Sequence, residues 1–334
     1  MIVLGACSEA DAGIVEWPTR GVDEFVQWTG GEVRLEESDA VVNVWPVVRV
    51  DADGGYLVAD TRESQARLYD AAGRLRARFG AKGKGPTEFD GMVSLLRLPS
   101  HELAVADLSG KLAVFDSAGG VVRRSWQTGL LPLWDAEIVQ DSLLLLVGRG
   151  KDRTGPLLHL FDPRRGTMIR HWFPDGATRT MARRSALTAG WAEASVRGDT
   201  IAVTHSLRDS LYLFSAEGAS LRTVPIPFRH RRPMSRELPR RPDRIATHAW
   251  MSSFSLVTNA FWGGDGTWLI QYQDRNGPDI RFRLLAMDED GRFRFELRDS
   301  PQLLTADPAR GVLYFVNPES LAPNVWSVAQ LKPR

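Results

Sequence analysis

The sequence predicts an all-β fold, a six-bladed β-propeller whose last blade is closed by an N-terminal strand. Three observations predict it: a strand-turn-strand unit that recurs after 46 residues, a glycine three or four residues into five recurring hairpins, and a last unit one strand short.

The repeat appears when Tyr56–Gly80 (YLVADTRESQARLYDAAGRLRARFG) is set beside Leu103–Trp126 (LAVADLSGKLAVFDSAGGVVRRSW). Each has a short apolar strand ending Val-Ala-Asp, a polar turn, a strand ending aromatic-Asp, a small residue and glycine, and a third strand. The aromatic-Asp pairs Tyr69-Asp70, Phe115-Asp116 and Phe161-Asp162 stand 46 residues apart. Phe214-Ser215 and Met287-Asp288 continue the series at wider spacing. Self-similarity at such a period marks a repeat architecture.

After these pairs come Gly73, Gly119, Gly166, Gly218 and Gly291. Asp or Ser caps the amides of a turn with its side chain, and glycine takes the left-handed position that closes a short hairpin. A second class of turn precedes each strand pair: 51–55, 99–102, 140–142, 197–199, 263–266 and 307–311. That makes six against five of the first class. Flanking strands alternate or are wholly apolar, as in SLLLLVG and TIAVTH. Four short strands per unit and six units describe a propeller. The last unit has strands near 302–306, 312–317 and 324–330 and then the chain stops. The stretch GEVRLEE (Gly31–Glu37) supplies the missing strand, so residues 32–37 are expected to pair with 324–330 and remove an open edge.

The run Tyr56–Phe89 resembles NHL-repeat propellers and the related six-bladed propeller lipoproteins of bacteria. Their repeat reads roughly strand-V-A-D, R-I-x-V-F-D, x-x-G and F-G-x-x-G-x-G-P-x-x-F. The likeness covers about Arg49–Arg124. It departs at Glu63-Ser64-Gln65, where NHL repeats carry Asn-His-Arg.

Composition narrows the function. Lys plus Arg total 42 and Asp plus Glu 41 in 334 residues, so no global field draws nucleic acid or an anionic surface. The single cysteine, Cys7, closes Leu-Gly-Ala-Cys, which resembles the bacterial lipobox, and the polar stretch SEADAG follows it. Residues 1–21 are therefore expected to be a lipoprotein-type N-terminus and tether, and 22–334 one propeller. Only six residues precede Cys7. A secretory signal needs an apolar core of about 7–15 residues, so the reading frame is expected to extend upstream of Met1. The address is the cell envelope, lipid-anchored and facing periplasm or exterior.

FGAKGKGPTEF (Phe79–Phe89) invites a phosphate reading. Gly80 and Gly85 have the spacing of G-x-x-x-x-G-K-[ST], but Pro86 stands where the lysine must be. A dinucleotide G-x-G-x-x-G fails at Glu88. The loop is expected to be a connector between two blades, with Phe89 packed between them.

Two features suggest a binding surface. Trp45, Phe89, Trp134, Trp191 and Phe261 fall at the starts of inner strands, where a ring of them would stack a sugar or peptide at a channel mouth. The insert at about 225–250 carries seven arginines between Arg229 and Arg244, with five prolines from Pro225 to Pro242. Arg231, Arg232, Arg240 and Arg241 are its candidate anion ligands, on a mobile flap over one mouth. The expected function is non-catalytic binding of a protein, peptide or glycan, anionic where it meets the arginines. No cofactor and no nucleic acid are expected. The alternative is a metal-dependent hydrolase or lyase, its divalent metal held in the channel by such residues as Glu88, Asp90, Asp135, Glu193 and Asn259, as in lactonase-like propellers.

Overall fold

The structure is a computed structural model that describes residues 26–36, 46–118, 120–140, 142–151, 155–174, 189–234, 238, 243–276, 279–317 and 324–332. Cys7, Trp45, Gly119, Arg240 and Arg241 lie outside them. Six four-stranded antiparallel sheets follow one another along the chain. Their inner strands are Val47–Val50, Met92–Arg97, Leu130–Val139, Ala192–Arg197, Leu256–Trp262 and Leu303–Asp307, in blades one to six.

Six apolar clusters fill the spaces between neighbouring blades. Phe79, Phe89, Leu103 and Phe115 join blades one and two. Leu112, Leu133 and Phe161 join two and three, and Leu145, Leu158 and Phe214 join three and four. Val224, Trp268 and Met287 join four and five, Phe295 and Phe315 five and six, and Tyr56, Tyr314 and Trp326 six and one. The core is therefore a ring of seams rather than one central mass, which explains strands apolar on both faces, such as Leu103–Asp107, buried throughout.

The hairpin glycines have a second duty beyond the turn. Gly73, Gly166, Gly218 and Gly291 have φ of +78°, +69°, +81° and +81°. A Cβ on each would also strike the preceding blade's outer strand: Arg34 O at 2.3 Å, Trp126 Nε1 at 2.2 Å, Trp172 Cδ2 at 2.8 Å and Val224 Cγ1 at 2.6 Å, in that order. The sequence repeat is thus a contact repeat, setting how closely each blade leans on the one before.

The ring closes as expected, with a shift in extent. The strand is Val26–Arg34 rather than 31–37, and it pairs antiparallel with Val325–Leu331. The register holds Glu32 opposite Ser327 and Arg34 opposite Val325. A bulge between Trp28 and Glu32 absorbs Gly30-Gly31 and lets the strand run on to Val26, which is 1% exposed. Thr29 Oγ1 donates to Val328 O at 2.9 Å, and Trp28 packs on Phe315 with ring centroids 5.0 Å apart.

The Gly80–Glu88 connector is as expected, and its amides are occupied. The Glu88 carboxylate accepts from Lys84 N and Gly85 N, each at 2.8 Å. Lys111 Nζ donates to the carbonyls of Gly85, Pro86 and Glu88 at 2.7, 2.8 and 2.7 Å. The loop binds the chain's own anion where a phosphate loop would bind a ligand.

The insert after blade four builds a small satellite core. A helix, Arg244–Met251, is capped by Asp243, whose side chain accepts from Ala246 N at 2.6 Å. Its Trp250 packs edge-on against Phe254 at 4.9 Å, within a cluster with Leu207, Leu238 and Leu256.

Deleting residues 1–35 should strip this closing strand, expose the edge of Val325–Leu331 and open the seams on both sides of blade six. Calorimetry should show a lower melting temperature and a broader transition. A truncated chain that melts like the intact one would refute the closure.

Candidate functional site

On the propeller axis lies a cavity of about 550 Å³ to which inner strands of all six blades contribute. Its polar lining follows from a shared distortion. The inner strands of blades three, five and six shift register between Leu133 and Asp135, Val257 and Asn259, and Leu303 and Thr305; blade three shifts also between Leu130 and Leu133, and blade two between Met92 and Ser94. A bulge of this kind leaves one residue unpaired and re-aims the next. Asp135, Asn259 and Thr305, each directly after such a shift, all line the cavity.

Arg49 reaches into this space from blade one. Its Nη2 lies 2.6 Å from Glu137 Oε1 and 3.3 Å from Asp135 Oδ1, and it also donates to Ala136 O at 3.3 Å. Asp135 is fixed further by two amides: Ala136 N donates to Oδ1 at 2.8 Å and Ala194 N to Oδ2 at 3.2 Å. Glu193, from blade four, joins the same wall, but its carboxylate makes no hydrogen bond or ion pair among the described residues.

Three carboxylates therefore crowd one guanidinium. Burial, and then the Glu137 charge, push the Asp135 carboxyl up to about 7 although Arg49 and two amides oppose the rise. Glu137 is raised chiefly by burial, with Arg49 opposing. Glu193 is raised well above the carboxylate range, by burial first and then by Asp135. These groups titrate together, and the shared direction is towards holding protons to higher pH than free carboxylates do.

The aromatic candidates divide. Trp134 and Phe261 line the cavity, and Trp134 has the Arg149 guanidinium 5.0 Å from its ring centroid. Phe89 is fully buried between blades one and two, which leaves it no face for a ligand. Trp191 is half-buried against the satellite core of the insert. Sequence reading missed Arg49, Glu137 and Trp262. The signals were present: one charge in the apolar strand VVRV, and Asp-Ala-Glu placing two acids on one strand face.

The described arginines of the insert are already engaged. Arg231 is 5% exposed and pairs with Asp209. Arg232 Nε lies 3.3 Å from Asp274 Oδ1, and its Nη1 donates to Ser252 O at 3.1 Å. Arg229 stacks on Phe293, 3.6 Å from the ring centroid. Arg231 and Arg232 tie the insert to blades four and five, so a flap whose arginines all await an anion does not describe these two.

Three of the five residues weighed for a channel metal are engaged elsewhere or lie off the cavity. Glu88 is spent on its own loop, and Asp90 is exposed on that connector. Asp135 turns both oxygens to Arg49 and backbone amides. Among the described residues no group of three or more His, Cys, Asp or Glu side chains is set to hold a metal ion.

Comparison with solved structures supports the fold. The chain is similar to an exported protein from Bacteroides fragilis NCTC 9343, at TM-score 0.63 and 10% identity over 96% of this chain and 98% of that one. A DUF4221-family member from Bacteroides vulgatus gives 0.57 and 10% over 92% and 98%. The Swd1 β-propeller domain from Myceliophteria thermophila gives 0.51 and 10% over 92% and 100%. No protein-family model matches the chain, and neither does any curated protein. The class is a six-bladed β-propeller with a charged axial cavity.

A raised carboxyl pKa sets the sign of a pH effect. Between the unfolded value of about 4 and the folded value, the folded chain binds more protons, so this cluster's contribution to stability falls as pH rises through that window. Asp135 places its upper end at about 7. Glu193→Gln removes one of the repelling charges. Its melting temperature should match wild type at pH 4–5 and exceed it increasingly towards pH 8, as read by scanning calorimetry. A difference that does not grow with pH would contradict the shared titration.

Proposed function

We propose that this protein is a non-catalytic, ligand-binding propeller of the bacterial cell envelope, of the NHL-like lipoprotein kind, and that it takes its ligand in the axial cavity. One observation carries the reading: six separate strands converge on a single space that combines aromatic walls with fixed charges. About 300–1,000 Å³ is the usual range for small-molecule sites, which combine apolar walls with a few placed polar groups. Asp135 and Glu137 are held rigid by Arg49 and by backbone amides, as recognition without reorganisation requires.

The envelope address rests on the Leu-Gly-Ala-Cys stretch at Leu4–Cys7 and agrees with the exported character named for the Bacteroides fragilis protein. Acylation of Cys7 with two or more chains would give stable anchoring, whereas one chain is marginal.

Two measurements test these statements. A thermal-shift screen of amino acids, amines, sugars and nucleotides against the full chain should find a stabilising ligand, and Asn259→Ala should weaken its binding. The ligand should return chemically intact. A hit indifferent to Asn259→Ala places binding elsewhere, and turnover makes the protein an enzyme. For the address, the gene extended upstream should give membrane-bound wild type and soluble Cys7→Ser. Wild type that is itself soluble and unacylated would refute the anchor.

A further inference from the structure

We propose that the ligand of the axial cavity is an organic cation, a primary amine with an apolar or aromatic body, whose ammonium seats on Glu193 beside Asp135. The inference rests on the cavity being the ligand site. The charged side chains that line it are Arg49, Asp135, Glu137, Glu193 and Arg197. Arg197 is committed outward: its Nη1 pairs with Glu289 at 2.8 Å and its guanidinium lies 3.7 Å from the Trp262 ring centroid. Arg49 spends a single nitrogen on both Asp135 and Glu137. One guanidinium thus serves three carboxylates, and Glu193 receives none of its hydrogen bonds.

Charge imbalance in a space walled by protein is costly, and something positive must relieve it. Without a ligand the carboxyls hold protons more tightly: burial raises all three, and like charge adds to the rise at Asp135 and Glu193. An ammonium brings a full positive charge and three donors to a carboxylate that lacks any. A carboxylate or phosphate ligand would face like charges instead.

Size separates an amine from a metal ion. A bare cation needs oxygen ligands converging at about 2.0–2.6 Å, whereas this cavity has about 550 Å³. Trp134, Phe261 and Trp262 supply walls for a hydrocarbon body. Ring faces near an ammonium add a cation–π attraction. Binding must also expel protons from the cluster. Affinity should therefore rise with pH across the neutral range, until the amine itself loses its charge near about pH 10.

The test is titration calorimetry on the full chain with four probes: 2-phenylethylamine, cadaverine, 2-phenylethanol and calcium chloride. At least one amine should bind, with a heat that varies with the buffer's ionisation enthalpy and so reports proton release. Glu193→Gln should weaken it about tenfold or more, near 1.4 kcal/mol, while keeping the wild-type fold by circular dichroism. The alcohol and calcium should bind far more weakly. If the alcohol binds as well as the amines and Asn259→Ala weakens both, the cavity is the site but the cation is wrong. Calcium displacing the amine would make it a metal site. If neither amine binds while a neutral or anionic ligand from the thermal-shift screen does so through Asn259, the amine proposal falls alone. If no compound of any class binds, the cavity reading falls with it.

Discussion

Six blades can enclose a channel only if the first and last are tied, and one β ladder makes that tie. Val26–Arg34 on Val325–Leu331 gives blade six its fourth strand and sets Tyr56 of blade one against Tyr314 and Trp326. Every seam then has two walls, and Val325–Leu331 is paired on both sides. The hairpin glycines fix the spacing around the circle, because a side chain at those points would push neighbouring blades apart. Only with that spacing does Arg49 of blade one reach past blade two to Asp135 and Glu137 of blade three.

Two glutamates show how placement decides chemistry. Glu88 is surrounded by backbone amides that donate to it, so its charge organises a loop and is fully used. Glu193 sits in the axial wall with no donor among the described residues, next to two more carboxylates. The first arrangement stabilises the fold. The second opposes it, and strain of that kind is tolerated where a site needs it. Burial weighs on Glu193 first, and the supply of N–H groups separates the two: amides offset it at Glu88, and none does at Glu193.

The architecture was legible because it is local and repeated. A large apolar residue, then Asp or Ser, then glycine three or four residues on marks five hairpins, and counting hairpins exposed the blade that lacked a strand. The closing strand was misplaced by several residues because Gly30-Gly31 reads as a turn, whereas the chain bulges there and keeps its pairing. Asp135, Glu193 and Asn259 stood out as polar residues near inner strands, but their convergence with Arg49 is set by ring geometry, across 86 residues for Arg49 and Asp135. Phe89 and Trp134 look alike in sequence, each beside an acid at the start of an inner strand. Phe89 lies on the connector before its strand and falls into a seam, while Trp134 sits at a bulge within its strand and meets the axis. Arg231 and Arg232 read as free because Asp209 and Asp274 belong to other blades.

The ladder that shuts the ring also imposes an order of events. Thr29 and Val328, joined by a hydrogen bond, are 299 residues apart. During synthesis Val26–Arg34 can find its partner only when nearly all of the propeller sequence has followed. Until then blade six is incomplete, and the apolar seams beside it are wet. Pairing over such a separation is intrinsically slow, and unpaired strand edges invite association with other chains. Closing the ring is thus the meeting of two strands from opposite ends of the propeller sequence. A chain broken off early would carry a permanently open ring, an object a protease can recognise.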